Sequence, residues 1–317
     1  MKKLYFFFLL AALAFVSIQQ NFSKKAFGLQ TGSIGYNTKK ELVKYLNHRK
    51  AITSNLYYLN YPFFNKETLT FSVNYMNLLN AGIIVLSAYP GYYQMHKVQI
   101  LDAEVYTPKL IRYLYKVHDI VKSFFNPKQG IPIFLYMIRH EGPHNDFMAE
   151  RLNSSYEHLK SDYKYITARN NLNSYEFKKL IYSESTYNKV ALYKNRANSS
   201  WDPYLAFRDT QDVISALYYI RMLNIRQGKR YYIPIYENSK RYIVILKAKG
   251  SGYTLNTKAG KFSLIKLSVR LKLNGRFIDK NDKLYIFLST GPNHTPVYIQ
   301  ANIPLGIITA TLINRSY

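Results

Sequence analysis

The chain of 317 residues contains no cysteine. That absence excludes disulfides, thiolate metal ligands and a cysteine nucleophile. It also excludes the lipid-modified cysteine by which a bacterial lipoprotein is anchored. Acidic residues are scarce, with 18 Asp+Glu against 44 Lys+Arg and a net charge of +26. Such a balance favours polyanionic contacts: nucleic acid, anionic lipid headgroups or acidic polysaccharide. The cations are scattered along the chain, and no nucleic-acid-binding module is recognisable, so no specific nucleic acid is expected. Long apolar runs are also missing beyond the first residues, which leaves no second candidate membrane span.

What is present begins with "MKKLYFFFLLAALAFVS": two lysines, an apolar run from Leu4 to Val16, and small residues at Ala12 and Ala14. This is the pattern of an export signal, either cleaved or kept as an anchor. Residues 1–20 are therefore read as signal peptide or anchor, and residues 21–60 as a linker with a short amphipathic helix at Thr38–Lys50. Residues 61–317 are read as a single β-rich domain. Hydrophobic residues make up 48% of the chain and tyrosine occurs 32 times, enough to build a sizeable core.

From Glu67 onward the texture alternates with period two, as in "TLTFSVNYM", "AGIIVLSAY", "IPIFLYMIRH", "KRYIVILKAKG" and "GKFSLIKLSVRLKL". Pro108–Phe125 begins like a helix and turns strand-like, and the segment Asn145–Asn173 reads as a strand followed by a polar insertion. "YEFKKLIYSESTYNKVALYKN" reads as two further strands. Asp209–Leu223 is the strongest helical segment, with Ile214, Leu217, Tyr218 and Ile220 on one face, expected to plug one end of the β-structure. The fold class expected is mainly β: an antiparallel, closed or nearly closed barrel-like sheet with a few short helices.

The sequence offers one conspicuous catalytic motif. His140-Glu141-Gly142-Pro143-His144 spells H-E-x-x-H, in which two histidines one helical turn apart chelate zinc and the glutamate polarises a bound water. Gly142 and Pro143 cost about 1 and 3 kcal/mol in a helix interior, so the helix that gives those letters meaning is not expected. The position where the extended metzincin pattern needs a third histidine is Glu150, and Glu157 and His158 lie in a polar stretch without helical support. His48, His96, His118, His158 and His294 are isolated, Asp209 and Asp212 suit a helix cap, and "GSGYT" at Gly250–Thr254 reads as a turn. No catalytic, cofactor-binding or metal residue is therefore assigned.

Several segments are similar to those of a known family. "SALYYIR" (Ser215–Arg221), "TKAGKF" (Thr257–Phe262) and "PVYIQANIPLGIITATLI" (Pro296–Ile313) resemble the bacterial domain of unknown function 3108 family. "ETLTFSVNYMNLLNAGIIVLSA", with Ala81-Gly82, resembles its opening strands, so the likeness runs from Phe64 to Ile313. The resemblance implies an exported β-rich envelope protein, a strand entering a Glu141-Gly142 loop, and no catalytic residues to carry over. The expected function is that of a non-enzymatic periplasmic or cell-envelope protein binding a lipid-like or other apolar ligand inside the β-structure. The alternative is a scaffold or interaction protein for envelope assembly, with a zinc hydrolase through His140 and His144 as a third reading. The expected partners are an anionic membrane surface or an envelope protein.

Overall fold

The computed structural model describes residues 65–93, 95–113, 115–128, 130–142, 144–153, 164–171, 200–202, 210–237, 240–273, 276–277, 284–303 and 306–317. The leader, the 38–50 helix, the two strands expected after residue 174, Asp209, Pro143, Glu157, His48 and His158 lie outside them.

Alternating burial sets the strands. In β1 (Glu67–Tyr75), Leu69, Phe71 and Val73 are buried and the residues between them are not. The same period runs through β2 (Leu79–Tyr93), β3 (His96–Tyr106) and β4 (His118–Asn126). A four-residue helix, α1 (Lys109–Arg112), interrupts the β3–β4 connection. Next come β5 (Ile131–Glu141), β6 (His144–Asn153), β7 (Lys164–Asn171) and β8 (Ser200–Asp202). Helix α2 (Val213–Arg221) leads into β9 (Arg230–Glu237), β10 (Lys240–Thr257) and β11 (Gly260–Leu273). The chain ends with β12 (Arg276–Phe277), β13 (Leu284–Ser289), β14 (Pro296–Ile303) and β15 (Gly306–Ser316).

All the strands join one sheet, paired antiparallel throughout, in the order β8-β7-β6-β5-β4-β3-β2-β1-β15-β14-β13-β11-β10-β9, with β12 on β11. The mainly antiparallel β expectation holds. Among the described residues the ladder is not closed, since β8 and β9 end it.

Two sequence expectations are corrected here. The strand expected at the start of 145–173 is β6, and the polar insertion expected after it includes a second strand, β7, which pairs with β6 and extends the sheet. Gly250–Thr254 is no turn, because it lies within β10, where glycines at φ 151° and 99° accommodate two register shifts.

Helix α2 occupies the concave side of the sheet. All nine of its residues are buried, among them Ile214, Leu217, Tyr218 and Ile220, and they share one core with the inner faces of the strands. An all-round apolar helix is stable only in such a setting. Its start is fixed by Asp212, whose carboxylate accepts from the Ile214 and Ser215 N–H groups at 2.9 and 2.7 Å, while Ser215 Oγ accepts from the Asp212 N–H. The Ser123 hydroxyl on β4 also donates to Asp212. Gln211 accepts from the Tyr236 N–H, donates its own N–H to the Pro234 carbonyl, and reaches the Gly130 carbonyl with its amide at 2.8 Å. The helix start thus ties β9 to β4 and the β4–β5 turn across the open side.

Candidate functional site

The H-E-x-x-H letters bend round a hairpin. Glu141 pairs with His144 and His140 with Asn145, so the two histidine positions stand out of step on a ladder and not one turn apart on a helix. Gly142 has φ 57°, a left-handed conformation, and donates its N–H to the Lys116 carbonyl at 2.8 Å. A Cβ there would lie 2.9 Å from the Tyr115 ring. The turn therefore serves as a seat for the neighbouring β3–β4 loop. Asp119 Oδ1 accepts the His140 N–H, and His118 Nε2 sits 2.7 Å from Glu104. Among the described residues no cluster of three metal-ligating side chains exists. Glu150 stands on β6, opposite Leu135.

A buried polar node lies where α2 ends. Arg221 meets Glu67 in a two-pronged ion pair at 2.6 and 2.8 Å, with the two side chains 1% and 0% exposed. The guanidinium also donates to the Asn293 carbonyl and lies 5.2 Å from the Tyr218 ring centre. His294, at φ 41°, donates from Nδ1 to the Arg221 carbonyl, and burial holds its pKa below the usual imidazole value. Nothing in the sequence marks Glu67 and Arg221 as partners, since 154 residues separate them. The node pins β1, α2 and the β13–β14 loop, and every carboxylate oxygen of Glu67 is taken by arginine. It is built for holding.

On the outer face of β3–β5 a second cluster gathers Phe124, Phe134, Tyr136 and Ile138 beside the Lys122–Asp102 ion pair of 3.0 Å. Burial raises the Asp102 carboxyl, with Lys122 opposing that shift.

Several exposed apolar side chains that packing does not account for stand at one end of the strands. The β1–β2 turn and the β3–β4 loop emerge there two strand spacings apart, roughly 10 Å. Leu78 is 90% exposed, Leu110 86% and Tyr113 93%. Met76 and Leu79 are about half exposed beside Leu78. Both connections are firmly based. In the first, Met76 and Asn77 take φ 56° and 59°, and the Leu78 N–H bonds the Tyr75 carbonyl at 3.1 Å, which makes a type I′ turn. Such a turn favours Asn-Gly, and a methionine there is strained by about 1–3 kcal/mol. It is held because the Met76 N–H donates to the Ile307 carbonyl at 2.7 Å, its sulfur accepts from the Ile307 N–H at 3.4 Å, and its side chain packs against Gly306. In the second, Thr107 and Val117 clamp the loop base: each N–H is bonded, at 3.2 Å to the Val117 carbonyl and 3.1 Å to Thr107 Oγ1. Tyr115 tucks into the core above Gly142. Beyond this clamp Lys109, Arg112 and Lys116 interleave with Leu110 and Tyr113.

Single exposed apolar residues are ordinary on a surface. Here two leucines and a tyrosine are held outward at the same end of the strands as three exposed cations, by strained or clamped backbone. Tyr92 and Met95, at the opposite end in the β2–β3 connection, are exposed without cations clustered as in the α1 loop.

Among solved structures the chain resembles a beta-barrel-like protein of a domain of unknown function (DUF1849) from Brucella abortus, at 7% identity and a TM-score of 0.46, over 80% of this chain and 98% of that one. It also resembles a candidate lipoprotein from Parabacteroides distasonis, at 11% identity and a TM-score of 0.29, over 81% and 97%. A candidate exported protein with a YmcC-like fold from Bacteroides fragilis is similar at 8% identity and a TM-score of 0.27, over 81% and 98%. A search of curated proteins gives no match. The model of the family described as "Protein of unknown function (DUF3108)" matches residues 70–313, well over half of the sequence, and the chain belongs to that family.

Proposed function

We propose that this is an exported, non-enzymatic envelope protein that docks on an anionic bilayer through the β1–β2 turn and the β3–β4 loop. The observation that carries the reading is the pairing of exposed Leu78, Leu110 and Tyr113 with Lys109, Arg112 and Lys116 on connections whose bases are rigid. Cations near an anionic surface contribute about 1 kcal/mol each. An inserted leucine adds roughly 1.5–3 kcal/mol when fully buried. Together these suit reversible attachment, and the net charge of +26 supplies the long-range attraction. The leader-like residues 1–20 support export, and a chain without cysteine needs some other contact with lipid. The ligand-carrier reading is less well supported, because α2 and the inner strand faces occupy the concave side with their own side chains.

The absence of cysteine makes a direct test available. Leu110→Cys in the full chain, labelled with an environment-sensitive fluorophore, should shift to the blue with phosphatidylglycerol vesicles, while a label at Ser263→Cys should not. Leu78→Asp with Leu110→Asp should weaken co-sedimentation with those vesicles at least tenfold and leave the thermal melt unchanged. Wild-type protein that stays in the supernatant would refute membrane docking. Binding without a shift at position 110 would refute this route to it.

A further inference from the structure

We propose that the projecting β10–β11 ribbon, which contains the only long acid-free cationic stretch on two adjacent described strands, is a binding site for a linear acidic polysaccharide. Residues 240–273 hold nine Lys+Arg and no Asp or Glu. Pairing shows how they are displayed. β9 accompanies β10 only over Lys240–Lys247, and β13 accompanies β11 only over Leu264–Val269. Residues 254–257 and 260–263 pair with each other alone, out to the turn between Thr257 and Gly260. The free ribbon reaches roughly 13 Å beyond the sheet. Two register shifts at its root, at Gly250 and Gly252, strengthen the local twist.

Lys249, Lys258, Lys261 and Arg270 are exposed along this ribbon and its root, and so are Ser251, Gly252, Tyr253, Thr254 and Asn256. At the root lies an aromatic bed. The Lys266 ammonium sits 4.2 Å from the centre of Tyr285, 5.4 Å from Phe287 and 5.8 Å from Tyr253. Tyr253 meets Phe287 edge-on at 5.9 Å and remains 43% exposed, so one ring is held in place with part of its surface free. A tyrosine ring so fixed can cover the C–H face of a sugar while neighbouring ammonium groups meet its carboxylates.

Three features favour a glycan over the other polyanions. The turn Thr257-Lys258-Ala259-Gly260 carries no large apolar group, unlike the Leu78 and Leu110 connections, so it has nothing to insert into a bilayer. Seven of the nine cations are lysines, point charges suited to spaced carboxylates more than to the bidentate recognition for which arginine is favoured. A single exposed ring is too little for the successive base stacking on which single-stranded nucleic acid binding relies.

The site is independent of the membrane patch. β10 runs from the end that holds the β1–β2 turn toward the opposite one, so the ribbon tip and the Leu78–Leu110 patch lie at opposite ends of the strands.

The test is titration of the full chain into fluorescent polygalacturonate, read by anisotropy, with neutral dextran as control. Binding to polygalacturonate should weaken steeply with salt, and dextran should not bind. Lys249→Glu with Lys258→Glu and Lys261→Glu should lower affinity at least tenfold, and the milder triple Gln variant severalfold, both with unchanged melting. Tyr253→Ala should weaken binding without changing the salt slope. Triple variants that bind like wild type would overturn the proposal. So would tighter binding through the same lysines to a single-stranded oligonucleotide or to phosphatidylglycerol vesicles. Leu78→Asp with Leu110→Asp should bind the polymer normally, and its failure would overturn the assignment to the ribbon.

Discussion

Single residues with unusual backbone geometry mark what this surface does. Gly142 is left-handed and in contact with Tyr115, so Gly142→Ala should destabilise by about 1–3 kcal/mol, by strain and by displacing that ring. His140→Ala, which keeps the bonded backbone N–H, should cost under about 1 kcal/mol. Thermal melts of the two variants check the order, and equal losses would mean the turn does not seat the loop. His294 offers a second prediction, on pH. Its folded pKa lies below the ordinary imidazole value of about 6.5, first through burial and then through the Arg221 charge, against a backbone hydrogen bond to Arg221 that opposes the shift. The unfolded chain therefore binds more protons as pH falls through 6.5, and stability present above that value is lost below it. The drop in melting temperature from pH 7.5 to pH 5 should be larger for wild type than for His294→Asn. An identical drop would show that His294 is not the titrating group.

At the scale of elements, helix α2 is the keystone: its start joins β4 to β9 and its end is bound to β1 by Glu67–Arg221. Leu217→Ala should cost about 2–5 kcal/mol, as large-to-small core changes do. Glu67→Gln, which leaves a buried guanidinium without its counter-charge, should cost about 3–5 kcal/mol. Urea melts of both variants test this, and a neutral Glu67→Gln would mean the pair only replaces packing. The helix was legible because an apolar run followed a capping aspartate; the cap proved to be Asp212 with Ser215. The core strands were legible because one face is buried and the period is two. Three things were not. β7 read as part of an insertion because its sequence is mostly polar, with Tyr165, Ile166 and Ala168 its only apolar residues. The β10 extension read as a turn because Gly250-Ser251-Gly252 has turn composition although its backbone stays paired. The Glu67–Arg221 pair is a long-range fact that no local pattern encodes. Leu78, Leu110 and Tyr113 look in sequence like any other apolar residues, and only their exposure separates them; the alternating "KLIRYLYK" was the one available hint.

The whole molecule is polar along its strands, with an apolar and cationic patch at one end and a basic ribbon at the other. Protein already bound to phosphatidylglycerol vesicles should therefore still capture polygalacturonate, seen as polymer that sediments with the vesicles. Competition between the two would place both ligands on one surface. The seam between β1 and β15 carries a further consequence. Nearly every other ladder pairs strands that follow closely in the chain, and this one joins the first described strand to the last. Closing so long a loop is the slow part of folding by contact-order reasoning. A chain threaded N-terminus first through a narrow channel would thus arrive with β1 paired to β2 alone, and its fold would lock only when the final strand had passed. Such a protein stays threadable until the moment it has been delivered.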